Sequence, residues 1–140
     1  MALHMDGARF ANAMVSLGAS AAQMTIEAGV DMVSFGGTKN GCWCAEALVV
    51  LDPAKATAMP FLRKRAAQLF SKSRFIAAQF GAYFADDLWL RLAGHANAMA
   101  MRLADHAREP GMVRLAWEPQ ANEVFLLMGA DVAAQLQARG

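Results

Sequence analysis

Three short, mostly apolar runs constrain this chain most, because each is closed by residues that break regular structure. Ala2 to Met5 gives way to Asp6-Gly7, Val30 to Phe35 to Gly36-Gly37, and Ala47 to Leu51 to Asp52-Pro53. Runs this short suit buried strands, and none approaches the roughly 18 apolar residues that span a bilayer. Helical segments separate them. Phe10, Met14 and Leu17 recur at spacings of four and three within residues 7–17, and Gly18 stops that helix. Ser20 is placed to cap a second helix through about Ala28, with Gly29 after it. Strand and helix in alternation predict an α/β fold whose sheet is covered on both faces.

Residues 59–83 are helical in composition but lack a clean apolar stripe. They carry Arg63-Lys64-Arg65, then Lys72 and Arg74. A clearer helix follows, capped by Asp86 or Asp87, with Leu88, Leu92, His95, Met99 and Leu103 along one face. This places His95 in a packed core or interface. Glu109-Pro110-Gly111 ends the helix. Two strands, 113–117 and 124–128, and a helix from Asp131 to Ala138 complete the chain. A domain boundary is expected near Gly111, dividing residues 1–110 from a small α+β unit, 111–140. Two strands and one helix bury too little to stand alone.

Hydrophobic residues make up 56% of the 140 and charged residues 18%, so the chain has much surface to bury. The net charge of +1 comes without a basic stripe, which argues against nucleic acid as a partner. No basic segment leads into an apolar one at the start, so no secretion signal is expected. Cys42 and Cys44 are spaced poorly for a mutual disulfide. With no third cysteine they fit a reducing cytoplasm, and no metal-ligand spacing surrounds them.

Two residues point to chemistry. Lys39 stands in Gly36-Gly37-Thr38-Lys39-Asn40-Gly41, where glycines let the backbone approach a flat ring or a phosphate. Asp6 ends the first strand, with His4 on the same face by the two-residue period. Ligands of open α/β sheets bind beyond the carboxyl ends of strands. A lysine amine and a carboxylate in such places match the needs of pyridoxal 5'-phosphate: the amine holds the aldehyde as a Schiff base, and the carboxylate keeps the pyridine nitrogen protonated. Asp6 equally suits a cap for the following helix, and Lys39 a solvated turn. Arg9 is either a surface cation or a planar fork for a substrate carboxylate. Thr38 can offer a hydroxyl to a phosphate. The basic residues from Arg63 to Lys72 suit a solvated helix face or the anionic groups of a neighbouring subunit.

His4-Met5-Asp6-Gly7-Ala8-Arg9 and Ser34-Phe35-Gly36-Gly37-Thr38-Lys39-Asn40-Gly41, about thirty residues apart and in this order, resemble the motifs of the low-specificity L-threonine aldolases. These are fold-type I enzymes dependent on pyridoxal 5'-phosphate. Phe61 to Arg65 and Leu69 to Arg74 are also similar. The resemblance implies part of a large domain, a mixed sheet flanked by helices, followed by the start of a small C-terminal domain. It implies Lys39 as the Schiff-base lysine, Asp6 at the pyridine nitrogen, Thr38 near the phosphate and Arg9 at the substrate carboxylate. Lys64, Lys72 and Arg74 are lesser candidates for active-site or subunit contacts.

The implied reaction is aldol cleavage of β-hydroxy-α-amino acids, threonine to glycine and acetaldehyde, in a cytoplasmic homo-oligomer. Members of that family are more than twice as long. The expectation is therefore a truncated chain lacking the phosphate-cradling turn and the ring-stacking histidine, with little activity alone. Two alternatives remain: a β-eliminating lyase using the same lysine and aspartate, and a non-catalytic remnant that serves as an oligomerisation module.

Overall fold

The structure, a computed structural model, describes residues 1–109, 111 and 113–139. Pro110, within the expected helix stop and next to the expected boundary near Gly111, and the terminal Gly140 lie outside the described residues. The fold is mixed α/β. β1 (His4–Gly7), β2 (Met32–Gly36) and β3 (Glu46–Val50) form one sheet in the order β1-β2-β3. β1 and β2 are parallel, with Asp6 opposite Ser34, and β3 runs antiparallel to β2. The strands start up to two residues later than their apolar runs suggest, or one earlier for β3.

α1 (Phe10–Leu17) ends as its sequence requires: Gly18 has φ of 61°, and its N–H bonds back to the carbonyls of Met14 and Val15. α2 (Ala21–Met24) opens on a capping box between Ser20 and Gln23. It is shorter than expected, because Thr25 leaves helical geometry while its hydroxyl donates to the Ala21 carbonyl at 2.6 Å.

The expected helical stretch 59–83 is two helices, α3 (Met59–Arg65) and α4 (Ser73–Phe84), and Ala67 between them has φ of 57°. α5 (Leu88–Ala107) follows a kink in which Asp86 and Asp87 both have positive φ. Neither caps α5 through its side chain, contrary to expectation. The face of α5 that packs also differs from the expected one. Ala93, Ala100, Ala104 and Ala107 are buried, whereas His95, Met99 and Leu103 are exposed. Small side chains let α5 approach α1 closely. At the crossing Asn12, 1% exposed, donates to Asn97 Oδ1 at 3.1 Å, and Asn97 Nδ2 donates to the Asn12 carbonyl at 3.0 Å. β4 (Val113–Leu115) and β5 (Leu126–Met128) form an antiparallel pair before α6 (Ala130–Gln137).

One face of the three-stranded sheet packs on aromatic rings. Phe35 in β2 lies 5.7 to 6.5 Å, centroid to centroid, from Phe10, Phe80, Tyr83, Phe84 and Trp89. Edge and tilted contacts suit the ring quadrupoles. Tyr83 is 3% exposed. Burial pushes its pKa above the ordinary tyrosine value, opposed by a hydrogen bond from Asn40 and reinforced by Cys42 and Glu46. The accessible surface is 9719 Å², against about 7,000 Å² for a compact monomer of this mass. Much apolar surface is therefore uncovered, including Phe61, Leu69, Phe70 and Phe75 on and between α3 and α4.

Phe35→Ala removes the ring that five others share, and is expected to destabilise the chain by about 3 kcal/mol, read from denaturant unfolding at constant m. Tyr83 is the only tyrosine in the sequence, so phenolate absorbance reports it alone. Its raised pKa contributes stability that is complete below the unfolded-state value, about 10, and is lost as pH rises through the folded value. Native phenolate should accordingly appear at higher pH than unfolded phenolate. Tyr83→Phe should flatten the alkaline fall in stability.

Candidate active site

Parallel pairing of β1 and β2 brings the carboxyl ends of both strands to one side of the sheet. Asp6 stands at the end of β1, and Lys39 three residues beyond the end of β2. His4 and Ser34 share a face, joined through His4 Nε2 and Ser34 Oγ at 2.8 Å, and the alternating register puts Asp6 on that face too. The other face carries Phe35 and the aromatic packing. Asp6 is exposed. Its Oδ1 accepts from the Ala8 N–H at 3.0 Å, which shapes the turn before α1. The N-cap position of α1 belongs to Arg9. Among the described residues Oδ2 of Asp6 has no hydrogen-bond partner, so one oxygen of the carboxylate is available to a ligand.

Lys39 lies in a 3₁₀ turn, Thr38–Asn40, that Gly41 ends with φ of 112°. A Cβ at Gly41 would meet only the movable end of the exposed Leu92 side chain on α5, 2.8 Å away, so conformation rather than space calls for glycine there. Lys39 is exposed, and among the described residues its amine makes no hydrogen bond or ion pair. Thr38 is exposed also, and its N–H donates to Glu46 Oε1 at 3.4 Å. The loop is held from below. Gly37 N–H reaches the Ala45 carbonyl at 2.8 Å, and the N–H groups of Asn40 and Cys42 share the Gly37 carbonyl at 3.1 Å. Gln79 Oε1 on α4 accepts from the N–H groups of Trp43 and Cys44 at 2.9 and 3.1 Å. Burial, then Glu46 and Cys44, push the Cys42 thiol above its ordinary pKa, which leaves it a neutral neighbour and a poor nucleophile.

Arg9 is half-buried and pairs with Glu123 on the β4–β5 connection, NH2 to Oε1 at 3.0 Å. Its Nε–H is buried without a partner among the described residues, as is Oδ1 of Asn122 beside Glu123. One arm of the guanidinium fork is thus engaged by the C-terminal segment. The structure does not bring Lys64, Lys72 and Arg74 to the loop. Lys64 is on α3, Lys72 precedes α4 and Arg74 lies within it, all exposed and, among the described residues, free of ion pairs. Arg74 stacks on its neighbour Phe75, 5.1 Å from the ring centroid.

The donor set fits pyridoxal 5'-phosphate in part: an exposed, unpaired lysine amine on a fixed turn, and a carboxylate with an open oxygen at the end of the neighbouring strand. Among the described residues no three His, Cys, Asp or Glu cluster to hold a metal ion. Glu46, Gln79 and Glu123 take part in the site but were not singled out from the sequence. Gln79 and Glu123 are distant in the chain from the residues they contact, and Glu46 meets Thr38 only across the hairpin-like return from β2 to β3, so no local pattern marks them.

A family model described as "Beta-eliminating lyase" matches residues 1–131. The chain is 44% identical over 138 residues to a low specificity L-threonine aldolase of Pseudomonas aeruginosa and 41% identical over 138 residues to one of a Pseudomonas species. In both cases 99% of this chain aligns with 40% of the relative. A solved threonine aldolase structure from Leishmania major superposes with a TM-score of 0.84 at 30% identity, again over 99% of this chain and 40% of that one. The chain therefore spans about two fifths of the length of these relatives. With a family match over nearly its whole length, the chain belongs to the beta-eliminating lyase family.

Proposed function

We propose that this chain carries the lysine-bearing part of a threonine aldolase active site that uses pyridoxal 5'-phosphate and cleaves β-hydroxy-α-amino acids to glycine and an aldehyde. The observation that supports this best is that Asp6, near the end of β1, and the turn after β2 that carries Lys39 lie at the same end of a parallel strand pair. Pyridoxal 5'-phosphate, when bound, supplies an aldehyde for amines and a ring that accepts the electron pair left at Cα when the Cα–Cβ bond breaks.

Lys39 holds that aldehyde through its amine. Asp6 offers its open carboxylate oxygen to the protonated ring nitrogen, where an anion favours the charged form. Thr38 offers a hydroxyl to the phosphate. Arg9 receives a substrate carboxylate beside Glu123, a role supported by its buried Nε–H, which has no partner among the described residues. Lys64, Lys72 and Arg74 serve a subunit interface, in keeping with the exposed Phe61, Leu69 and Phe70 nearby. Residues 1–110 act as the cofactor-bearing unit and 111–140 as the start of a second. A homo-oligomer accords with the uncovered apolar surface, and the same reading puts it in the cytoplasm; no helix among the described residues is long and apolar enough to cross a membrane.

The family description favours a second reading, β-elimination from the same lysine and aspartate. The products separate the two: glycine with acetaldehyde from L-threonine for cleavage, an oxo acid with ammonia for elimination. Borohydride reduction in the presence of pyridoxal 5'-phosphate should leave the pyridoxyl group on the Lys39 peptide, and Lys39→Ala should remove it. Asp6→Asn is expected to lower turnover on the order of 100-fold. Labelling that is indifferent to Lys39 would overturn the assignment.

A further inference from the structure

Asn40 follows Lys39 directly and behaves in the opposite way. Lys39 is exposed, whereas Asn40 is 7% exposed. Its Nδ2 donates to the Tyr83 hydroxyl at 2.5 Å and to the Trp89 carbonyl at 2.8 Å. Those partners belong to α4 and α5, which meet at the Asp86-Asp87 kink, so one amide ties the turn to both helices. Tyr83 and Trp89 also pack on Phe35, the residue before Gly36. The turn is thereby held at its entrance by ring packing and at its middle by two hydrogen bonds.

A 3₁₀ turn rotates the chain about a third of a revolution per residue. With Asn40 pinned inward, the side chain before it is directed outward. The amine of Lys39 makes no bond among the described residues that would orient it, so its direction follows from the backbone.

We propose that Asn40 is the positioning residue of Lys39, acting through the turn and touching neither cofactor nor substrate. This rests on the reading of Lys39 as the cofactor lysine. Losing the inward pin lets the turn rotate, and a displacement of about 1 Å can cost a reaction that needs orientation on the order of 100-fold. A reagent that needs only an accessible amine is indifferent to such a change. The Asn40 donor also opposes the upward shift of the Tyr83 pKa, so the phenolate titration monitors the bond itself.

The test compares two labels on the 140-residue chain: pyridoxal 5'-phosphate trapped by borohydride, and acetic anhydride, each mapped by peptide mass against Lys55, Lys64 and Lys72 as internal references. In Asn40→Ala, pyridoxal phosphate labelling of Lys39 is expected to fall about 10- to 100-fold. Acetylation at Lys39 should stay level with the references, and native phenolate should appear at higher pH. In Tyr83→Phe, which keeps the Trp89 bond, the same labelling should fall by a smaller factor.

Equal pyridoxal phosphate labelling of Lys39 in the parent and in a folded Asn40→Ala chain would overturn the positioning role and leave Lys39 as the cofactor lysine. A parent chain with no preference for Lys39 would overturn both. Parallel loss of both labels at Lys39 would show simple burial of the amine and would also overturn positioning. If Asn40→Ala loses its far-ultraviolet circular dichroism, Tyr83→Phe decides: an unchanged label ratio rejects the inference.

Discussion

The packing of Phe35 governs the rest of this structure. Its ring sits at the end of the central strand and meets rings from α1, α4 and α5. Such contacts add about 0.5–1.5 kcal/mol per pair beyond area burial, but their geometric effect matters more here. They set the height of the sheet against the helices, and so the point at which the chain leaves β2. Four residues after Phe35 the chain reaches Lys39. Rings that cover one sheet face thus also fix the base of the turn that presents the amine.

The second constraint is the direction of the strands. Because β1 and β2 are parallel, Asp6 and the exit to Lys39 share one end of the sheet. Had they paired antiparallel, the two residues would stand at opposite ends, and the same motifs would form no site. Parallel neighbours need a crossover, and α1 with the short α2 provides it. α5 then supports α1 through buried alanines and the Asn12–Asn97 bonds. The C-terminal segment adds Glu123 to Arg9 and the Gln120 carbonyl to the Ser16 hydroxyl. The candidate site therefore draws on residues from both ends of the chain.

Much of this was legible in the sequence. Gly18 ends α1 and Ser20 caps α2 because local hydrogen bonds and positive φ decide such points. The strand–helix order and the two motifs were legible for the same reason. What escaped was long-range. The apolar stripe from Leu88 through Leu103 on α5 suggested the packed face, yet buried alanines take that role, since closeness of approach to α1 outweighs side-chain size. Asp86 and Asp87 looked like caps, but the kink puts both in left-handed geometry and neither side chain bonds an N–H. The helical stretch before them breaks at Ala67, where no glycine or proline signalled a stop.

By itself the sequence determined the chemistry on offer: a lysine in a glycine turn, an aspartate at a strand end, and an arginine after it, in an order shared with a known family. Those properties depend on residue type and spacing, which a chain carries whether or not it is folded. Only the tertiary structure decided which groups are available. It placed Asp6 and Lys39 on neighbouring strand ends, engaged one arm of Arg9 with Glu123, and turned Asn40 inward beneath Lys39. Each of these joins residues far apart in the chain, and such pairings exist only once burial of the Phe35 rings has brought the elements together.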